Sequence, residues 1–369
     1  MSRKLRFIKP SLYPSEKVQT LTLERIKYNY ENGITTNLIP DTNILIAMEE
    51  CADKKVNNDQ DRIRILKDHD LIELFNLLGL NSYSNIAWCP FFSLSEMPGK
   101  YANYSYKKLK LFDKKFKFEC AYEEDNINDD TFDKQQTRKT IDNFTSGQKL
   151  ISSFSYCSLL LIQIIEKNLN NSTFDDKINL YIRIVIDELD LVSMKEFFIA
   201  CIVFYSSSVR QNNGPYKELI KDIKKNFYSG KESKSFKKLS PLEIMKSIAS
   251  NGSFDLALIN ICNIGDFNGI DGEKLDNWIV SFDNKLFNLV RHFPHFKNGK
   301  GESSHVYYNN LLEIMPEHKD RLLSIMSLLE NRKNKTLKLE KLQNEPLNIY
   351  MKEIELTIEK FHKMAMYGI

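Results

Sequence analysis

The sequence predicts an α/β fold in which a parallel sheet is flanked by helices. A mainly helical insertion and a helical C-terminal extension are added to it. Three apolar runs carry the prediction. Leu38 and Ile39 form a short strand that meets Pro40 and turns at Asp41. Asn85–Phe92 (NIAWCPFF) reads as a buried strand, with Pro90 near its end because a proline cannot complete a central ladder. Asn277–Phe282 (NWIVSF) reads as a third strand, ending at Asp283. Helical segments stand between these runs, and strands alternating with helices build parallel sheets.

The elements follow in order. From Asn43 to Met48 the apolar residues open a helix, with Asp41 or Asn43 as its cap. Residues from about Asp61 to Gly79 give an amphipathic stripe through Ile65, Leu66, Leu71, Phe75 and Leu78. The next helix begins near Ser93 or Ser95. It places Glu96 in a first turn, where free amides and the helix dipole favour a carboxylate. Residues 36–100 thus form the first part of the α/β domain.

From 101 to 240 the chain reads as the helical insertion. It has a basic stretch at Lys107–Lys117 and an exposed loop around 122–138. Helical runs follow at Ser152–Asn168, Ile178–Leu191 and Met194–Val209, then a lysine-rich loop at Asn226–Lys238. The α/β pattern resumes over 241–300, with one helix from Pro241 ending at Gly252 and another over Phe254–Ile264. Residues 301–369 form the extension, with helices near Tyr307–Glu330 and Leu347–Met366 around the lysine-bearing segment Arg332–Lys341.

Apolar residues at 42 % and charged residues at 27 % of 369 argue against wholesale disorder. The net charge of +3 neither requires nor forbids a nucleic-acid partner, because a local patch decides that. The six cysteines are widely spaced without a CxxC pair, which predicts reduced, buried thiols and no structural zinc. The basic N-terminus lacks the apolar stretch of a signal peptide. Apolar runs such as Cys157–Ile165 fall short of the roughly 20 residues that span a membrane. The expectation is a soluble, cytoplasmic chain with no membrane partner.

Asp41 and Asp283 stand 242 positions apart, yet each follows a short apolar strand. In an open α/β sheet the carboxyl ends of the strands form the ligand crevice, so neighbouring strands would bring the two together. Glu96 and Asp255, each beside an apolar helical run, are candidates to complete an acidic ring. Such a ring repels itself unless cations, protons or basic groups compensate it. Oxygen ligands suit Mg²⁺ or Mn²⁺.

The segment Ile39-Pro40-Asp41-Thr42-Asn43-Ile44-Leu45-Ile46 resembles the opening strand and first acidic motif of PIN-domain nucleases. Trp278-Ile279-Val280-Ser281-Phe282-Asp283 resembles their strand-ending Ser/Thr-x-Asp motif. Ser93-Leu94-Ser95-Glu96 is similar to the helix-borne glutamate motif, and Ser253-Phe254-Asp255-Leu256 to the third acidic motif. The likeness covers roughly residues 36–100 and 241–300.

It implies a PIN-like parallel sheet and a metal-dependent endonuclease, with RNA preferred over DNA. Asp41, Glu96, Asp255 and Asp283 would be the catalytic metal ligands for Mg²⁺ or Mn²⁺, and Asp41 would hold the principal ion. Asp266 and Asp271 are alternatives for the third acid. Asn43 and Ser281 would orient a carboxylate, phosphate or water by hydrogen bonds. A DNA endonuclease, or a non-catalytic PIN-like module that binds nucleic acid or protein, fits the same motifs. RNA processing, a toxin role or defence against foreign genetic elements would suit such a chain, as would a regulatory protein partner.

Lys224, Lys225, Lys231 and Lys234 belong to the densest basic run, with Tyr216, Phe227, Tyr228 and Phe236 interspersed. They are candidates to hold substrate phosphates, with an aromatic stacking on a base. The plainer reading is a solvated helix face plus loop. Asp187, Glu188 and Asp190 read as surface acids, and His292 and His295 as core or surface residues.

Overall fold

The computed structural model describes residues 3–12, 20–79, 85–118, 121–122, 132–135, 140–190, 192–208, 214–229, 239–268, 272–297, 304–306, 309–332 and 346–368. The chain divides into two compact units. One comprises Met1–Lys139 with Leu258–His305, the other Thr140–Ala257 with Val306–Ile369.

Eight strands occur among the described residues. They are β1 (Arg6–Ile8), β2 (Ser11–Leu12), β3 (Ile34–Pro40), β4 (Ile86–Trp88), β5 (Ala121–Tyr122), β6 (Lys274–Ser281), β7 (His295–Lys297) and β8 (Ser304–Val306). The first unit is built on a five-stranded sheet of order β1-β6-β3-β4-β5, flanked by helices. All its neighbours are parallel except the edge pair β1 and β6. A mixed α/β architecture with a small, mostly parallel sheet is therefore present. A second sheet, of order β2-β7-β8, is smaller.

β3 and β6 occupy the middle because they are the most continuously buried strands. Asn37 to Pro40 and Asp276 to Ser281 are enclosed throughout, as parallel strands covered on both faces must be. Pro40 is tolerated as the last residue of β3, where the ladder ends. Trp88, Trp278, Leu38, Phe112 and Phe116 share the core beneath the sheet. Phe112 stacks on Phe116 with centroids 4.7 Å apart, and Phe118 meets Trp88 edge-on at 5.1 Å.

Several expected boundaries move. The helix expected over 61–79 is two, Asp59–Asp68 and Ile72–Gly79, separated at Asp70, whose φ of 60° a helix cannot contain. The strand expected over Asn85–Phe92 stops at Trp88, because Pro90 caps a short helix, Phe91–Glu96. The two helices expected on either side of Gly252 are one, Pro241–Asn268. Gly252 sits inside it because a Cβ there would stand 2.7 Å from Phe227 and 2.9 Å from Leu159. Close packing, not termination, accounts for the glycine.

The domain boundaries read from sequence differ from the packing for similar reasons. Helix Gly99–Phe116, assigned to the 101–240 insertion, packs its Phe112 and Phe116 into the first unit's core. Residues 241–257, assigned to the second part of the α/β domain, belong instead to the helical unit, which also takes the extension from Val306.

The second unit is helical, with Ser146–Asn168, Phe174–Ile184, Met194–Ser208, Lys217–Phe227, Lys319–Arg332 and Leu347–Tyr367 as its longer elements. Reciprocal bonds between Thr145 and Gln148 start the first of these. Among the described residues it is the one helix long and apolar enough to cross a membrane, and 78 % of its most apolar stretch is buried in the protein. Most of the loop expected at 122–138, the segment 333–341, Lys231 and Lys234 lie outside the described residues. Cys51, Cys89, Cys157, Cys201 and Cys262 are buried and form no disulfide among the described residues.

Candidate functional site

Parallel pairing of β3 with β6 runs to Pro40 opposite Val280. The ladder continues one step further, as the Asp41 amide donates to the Val280 carbonyl at 2.8 Å. That register sets Asp41 beside Ser281, 240 positions away in the chain, and the Ser281 hydroxyl donates to Asp41 Oδ2 at 2.5 Å. The Asn43 amide donates to the same oxygen at 2.5 Å and to Ser281 Oγ at 3.2 Å. Its carbonyl oxygen accepts the Phe282 N–H at 3.0 Å, which fixes the amide's orientation. The Asp283 N–H donates to Ser281 Oγ at 2.8 Å, so a hydrogen-bonded chain joins the two strand ends.

Asp41 caps helix Thr42–Ala52 by backbone conformation alone; its side chain makes no cap bond and is turned to Ser281 and Asn43. Asp283 does cap helix Asn284–His292, its Oδ1 accepting from the Lys285 N–H at 2.6 Å.

Glu96 joins them from a different position than expected. It is the last residue of helix Phe91–Glu96, since extended Met97 and then Pro98 stop the helix. It therefore lies at the negative end of a helix rather than in a first turn. Thr42 Oγ1 donates to Glu96 Oε2 at 2.5 Å, and the Ser93 hydroxyl donates to the Pro40 carbonyl, tying this helix to the end of β3. Thr42 and Ser93 were not singled out from sequence. Their only signal was membership in the motifs of Asp41 and Glu96.

The three acids are half-buried and act on one another. Burial pushes the Asp41 carboxyl above its ordinary value and Asp283 adds to the rise. Hydrogen bonds from Ser281, Asn43 and the Thr42 backbone oppose it. Burial pushes Glu96 up to about 7, with Asp41 and Asp283 contributing and the Thr42 bond opposing. The groups that oppose the rise at Asp41 and Glu96 are neutral donors, Ser281, Asn43, the Thr42 backbone and the Thr42 hydroxyl.

Hard oxygen donors of this kind suit a divalent cation of the Mg²⁺ or Mn²⁺ type. Among the described residues no three His, Cys, Asp or Glu side chains form a ready-made ligand group. Mg²⁺ habitually keeps several waters and uses one or two protein carboxylates, a demand this donor set meets.

The remaining candidates have other surroundings. Asp255 belongs to the second unit, where its Oδ2 accepts from the Asn226 amide at 2.6 Å. Asp266 is committed to a buried network in the first unit: it pairs with Lys9 and accepts from Ser11 at 2.6 Å and from the Asn277 N–H at 2.7 Å. Lys9 also meets Asp276 at 2.8 Å. Burial alone would raise the Asp276 carboxyl, but Lys9 and Arg25 hold it well below the usual range. Asp271 lies outside the described residues.

Lys224 and Lys225 sit at the end of helix Lys217–Phe227 in the second unit, with Phe227 packed inward. Asp187 and Glu188 occupy a π-turn, Val185–Leu189; Asp190 follows it, and Glu188 pairs with Lys360 at 2.5 Å. Half-burial and Arg291 lower the pKa of His292. No family model matches the chain, and no curated protein or solved structure matches it either.

Proposed function

We propose that this protein is a metal-dependent endonuclease that hydrolyses phosphodiester bonds, RNA in preference to DNA. The observation that carries the reading is the meeting of Asp41, Glu96 and Asp283 at the carboxyl ends of two adjacent parallel strands, where the acids raise one another's proton affinity at Asp41 and Glu96. The resemblance of the Asp41 and Asp283 motifs to PIN-domain nucleases gives that meeting its chemical meaning.

Asp41, with Glu96 or Asp283 beside it and waters completing the shell, would hold Mg²⁺ or Mn²⁺. When bound, such a cation supplies water activation and neutralises charge on the phosphate oxygens. The chain's own groups prepare the acids for that task. Ser281 and Asn43 fix one oxygen of Asp41, and the Lys285 amide fixes one of Asp283. Thr42 holds Glu96 against the start of the neighbouring helix. Each acid thus has one oxygen oriented by a neutral hydrogen-bond donor. No covalent enzyme intermediate is required.

The test is cleavage of labelled single-stranded RNA and DNA in Mn²⁺ by the wild type and by Asp41→Asn. Metal-dependent products that vanish in a folded Asp41→Asn protein are expected, with RNA cut faster. Equal cleavage by both proteins, or none by either, would sink the reading and favour a binding module that does not turn over.

A further inference from the structure

Helix Gly99–Phe116 starts three residues after Glu96 ends its own helix. It lies along helix Thr42–Ala52 and runs in the same direction. Glu49 accepts from Ser105, Asp53 pairs with Lys108, and Lys115 reaches the carbonyls of Ala52 at 2.5 Å and Lys54 at 3.0 Å. Both helices therefore begin at the acidic end of the sheet, one from Asp41 and the other from just beyond Glu96.

The inward face of this helix is apolar, through Ala102, Leu109, Phe112 and Phe116. The helix carries six lysines against a single acid, Asp113; Lys108 and Lys115 turn to helix Thr42–Ala52 and its end, while Lys100, Lys107, Lys110 and Lys114 are exposed. It also exposes two tyrosines one turn apart, Tyr101 at 54 % and Tyr104 at 51 % of their surface. Exposed rings occur on helix Leu23–Glu31 too; what sets this pair apart is that lysines flank it along the same face. Lys100, Tyr104, Lys107 and Lys114 follow helical spacing along one stripe, with Tyr101 beside it. From Lys100 to Lys114 that stripe covers about 21 Å. Lys108 lies over the Tyr104 ring at 5.2 Å and is held by Asp53, which braces the ring against the helix.

We infer that this stripe is a binding surface for a single-stranded nucleic acid, which it leads toward the carboxylates. Lysines spaced along a helix match backbone phosphates, while exposed rings offer stacking faces to unpaired bases. A duplex hides its base faces, so the tyrosines select single strands. The inference deepens the nuclease reading by naming the groups that hold its substrate, and it moves substrate binding away from Lys224 and Lys225. It stands or falls on binding, which is measured without metal and so without cleavage.

The experiment is fluorescence anisotropy of the full chain in EDTA with a labelled 15-nucleotide single-stranded RNA, the DNA of the same sequence, and an RNA duplex. Three neutralised phosphate contacts on a single strand give a salt slope near −2, about a 20-fold loss of affinity from 50 to 200 mM salt. Lys100→Gln/Lys107→Gln/Lys114→Gln is expected to remove most of that salt dependence. Tyr101→Ala/Tyr104→Ala is expected to weaken single-strand binding at least fivefold while leaving the salt slope in place. Tyr28→Ala/Tyr30→Ala, exposed rings on another helix, serves as the control and should bind as the wild type does. Circular dichroism confirms that each variant is folded. Tight binding of RNA or DNA single strands that depends on the stripe supports the inference even if Mn²⁺ cleavage is absent. Unchanged binding in both stripe variants, a preference for the duplex, or no binding by the wild type would overturn it, whatever the cleavage assay shows.

Discussion

Glu96→Gln should make the protein more stable at alkaline pH, and the sign follows from the site. An isolated glutamate titrates near 4.5, whereas Glu96 in the folded chain is pushed up to about 7 by burial, with Asp41 and Asp283 adding to the rise. Between those values the folded state binds more protons than the unfolded one, so stability falls as pH rises through the window. The gap is 7 − 4.5 = 2.5 units. At 1.36 kcal/mol per unit it corresponds to about 3 kcal/mol at most, and the partial exposure of Glu96 reduces that to about 1–3 kcal/mol. The protons belong to the acidic cluster as a whole, so the transition will be broader than a single titration.

Glutamine keeps a carbonyl oxygen for the Thr42 hydroxyl but carries no charge. The chain provides its own reporter, since both of its tryptophans, Trp88 and Trp278, are fully buried in the first unit. Urea unfolding followed by tryptophan fluorescence in a metal chelator should show equal stability of wild type and variant near pH 4.5. Above pH 7.5 the variant should be the more stable by the amount given. Millimolar Mn²⁺ should then restore the wild type at pH 8, by about 2.7 kcal/mol at 100 times its dissociation constant, and help the variant less. A wild type whose stability does not change between pH 5 and 8, or a variant no more stable than it at pH 8, would refute the argument.

Three further outcomes test other parts of the molecule. Ser281→Ala removes the donor to Asp41 and the acceptor for the Asp283 amide, and should lower metal affinity or cleavage by about 10- to 100-fold with little change in fold; metal titration and initial rates check this. Lys9→Ala removes the buried cation shared by Asp266 and Asp276, leaving Arg25 on Asp276, and should destabilise the first unit by about 3 kcal/mol, read by the same tryptophan signal. Gly252→Ala gains helix propensity but drives a methyl group against Phe227 and Leu159, so thermal melting by circular dichroism should show a net loss of about 1–2 kcal/mol.

What the sequence made legible depended on whether local chemistry and distant packing agreed. Asp41 and Asp283 stood out because each ends an apolar run, and their meeting needed only that β3 and β6 be neighbours, as they are. Asn43 and Ser281 could be named because they lie two residues from those acids in the same motifs. β1 could not. Three residues in a basic terminus pair with a strand some 270 positions away, and no local pattern announces such a register. Asp276 reads as an ordinary strand-edge acid until Lys9, Arg25 and Asn29 converge on it from two other segments.

The two misread helix signals share one cause. Gly252 and the Ser93–Glu96 segment were interpreted by their own propensities, whereas their surroundings decide both, distant side chains at Gly252 and flanking prolines at Glu96. Gly252 is inside a helix because Phe227 and Leu159 press on it. Glu96 closes a helix because Pro90 starts that helix early and Pro98 forbids its continuation. That second displacement has a consequence for the site. In a first turn, Glu96 would have drawn on amide donors and a favourable dipole, which lower a carboxyl pKa. At a helix end it has the Thr42 hydroxyl against burial and two neighbouring acids. The same local geometry therefore leaves the charged form of Glu96 opposed by burial and by two neighbouring acids. It is also why a neutral glutamine at position 96 should stabilise the fold even as it weakens the site.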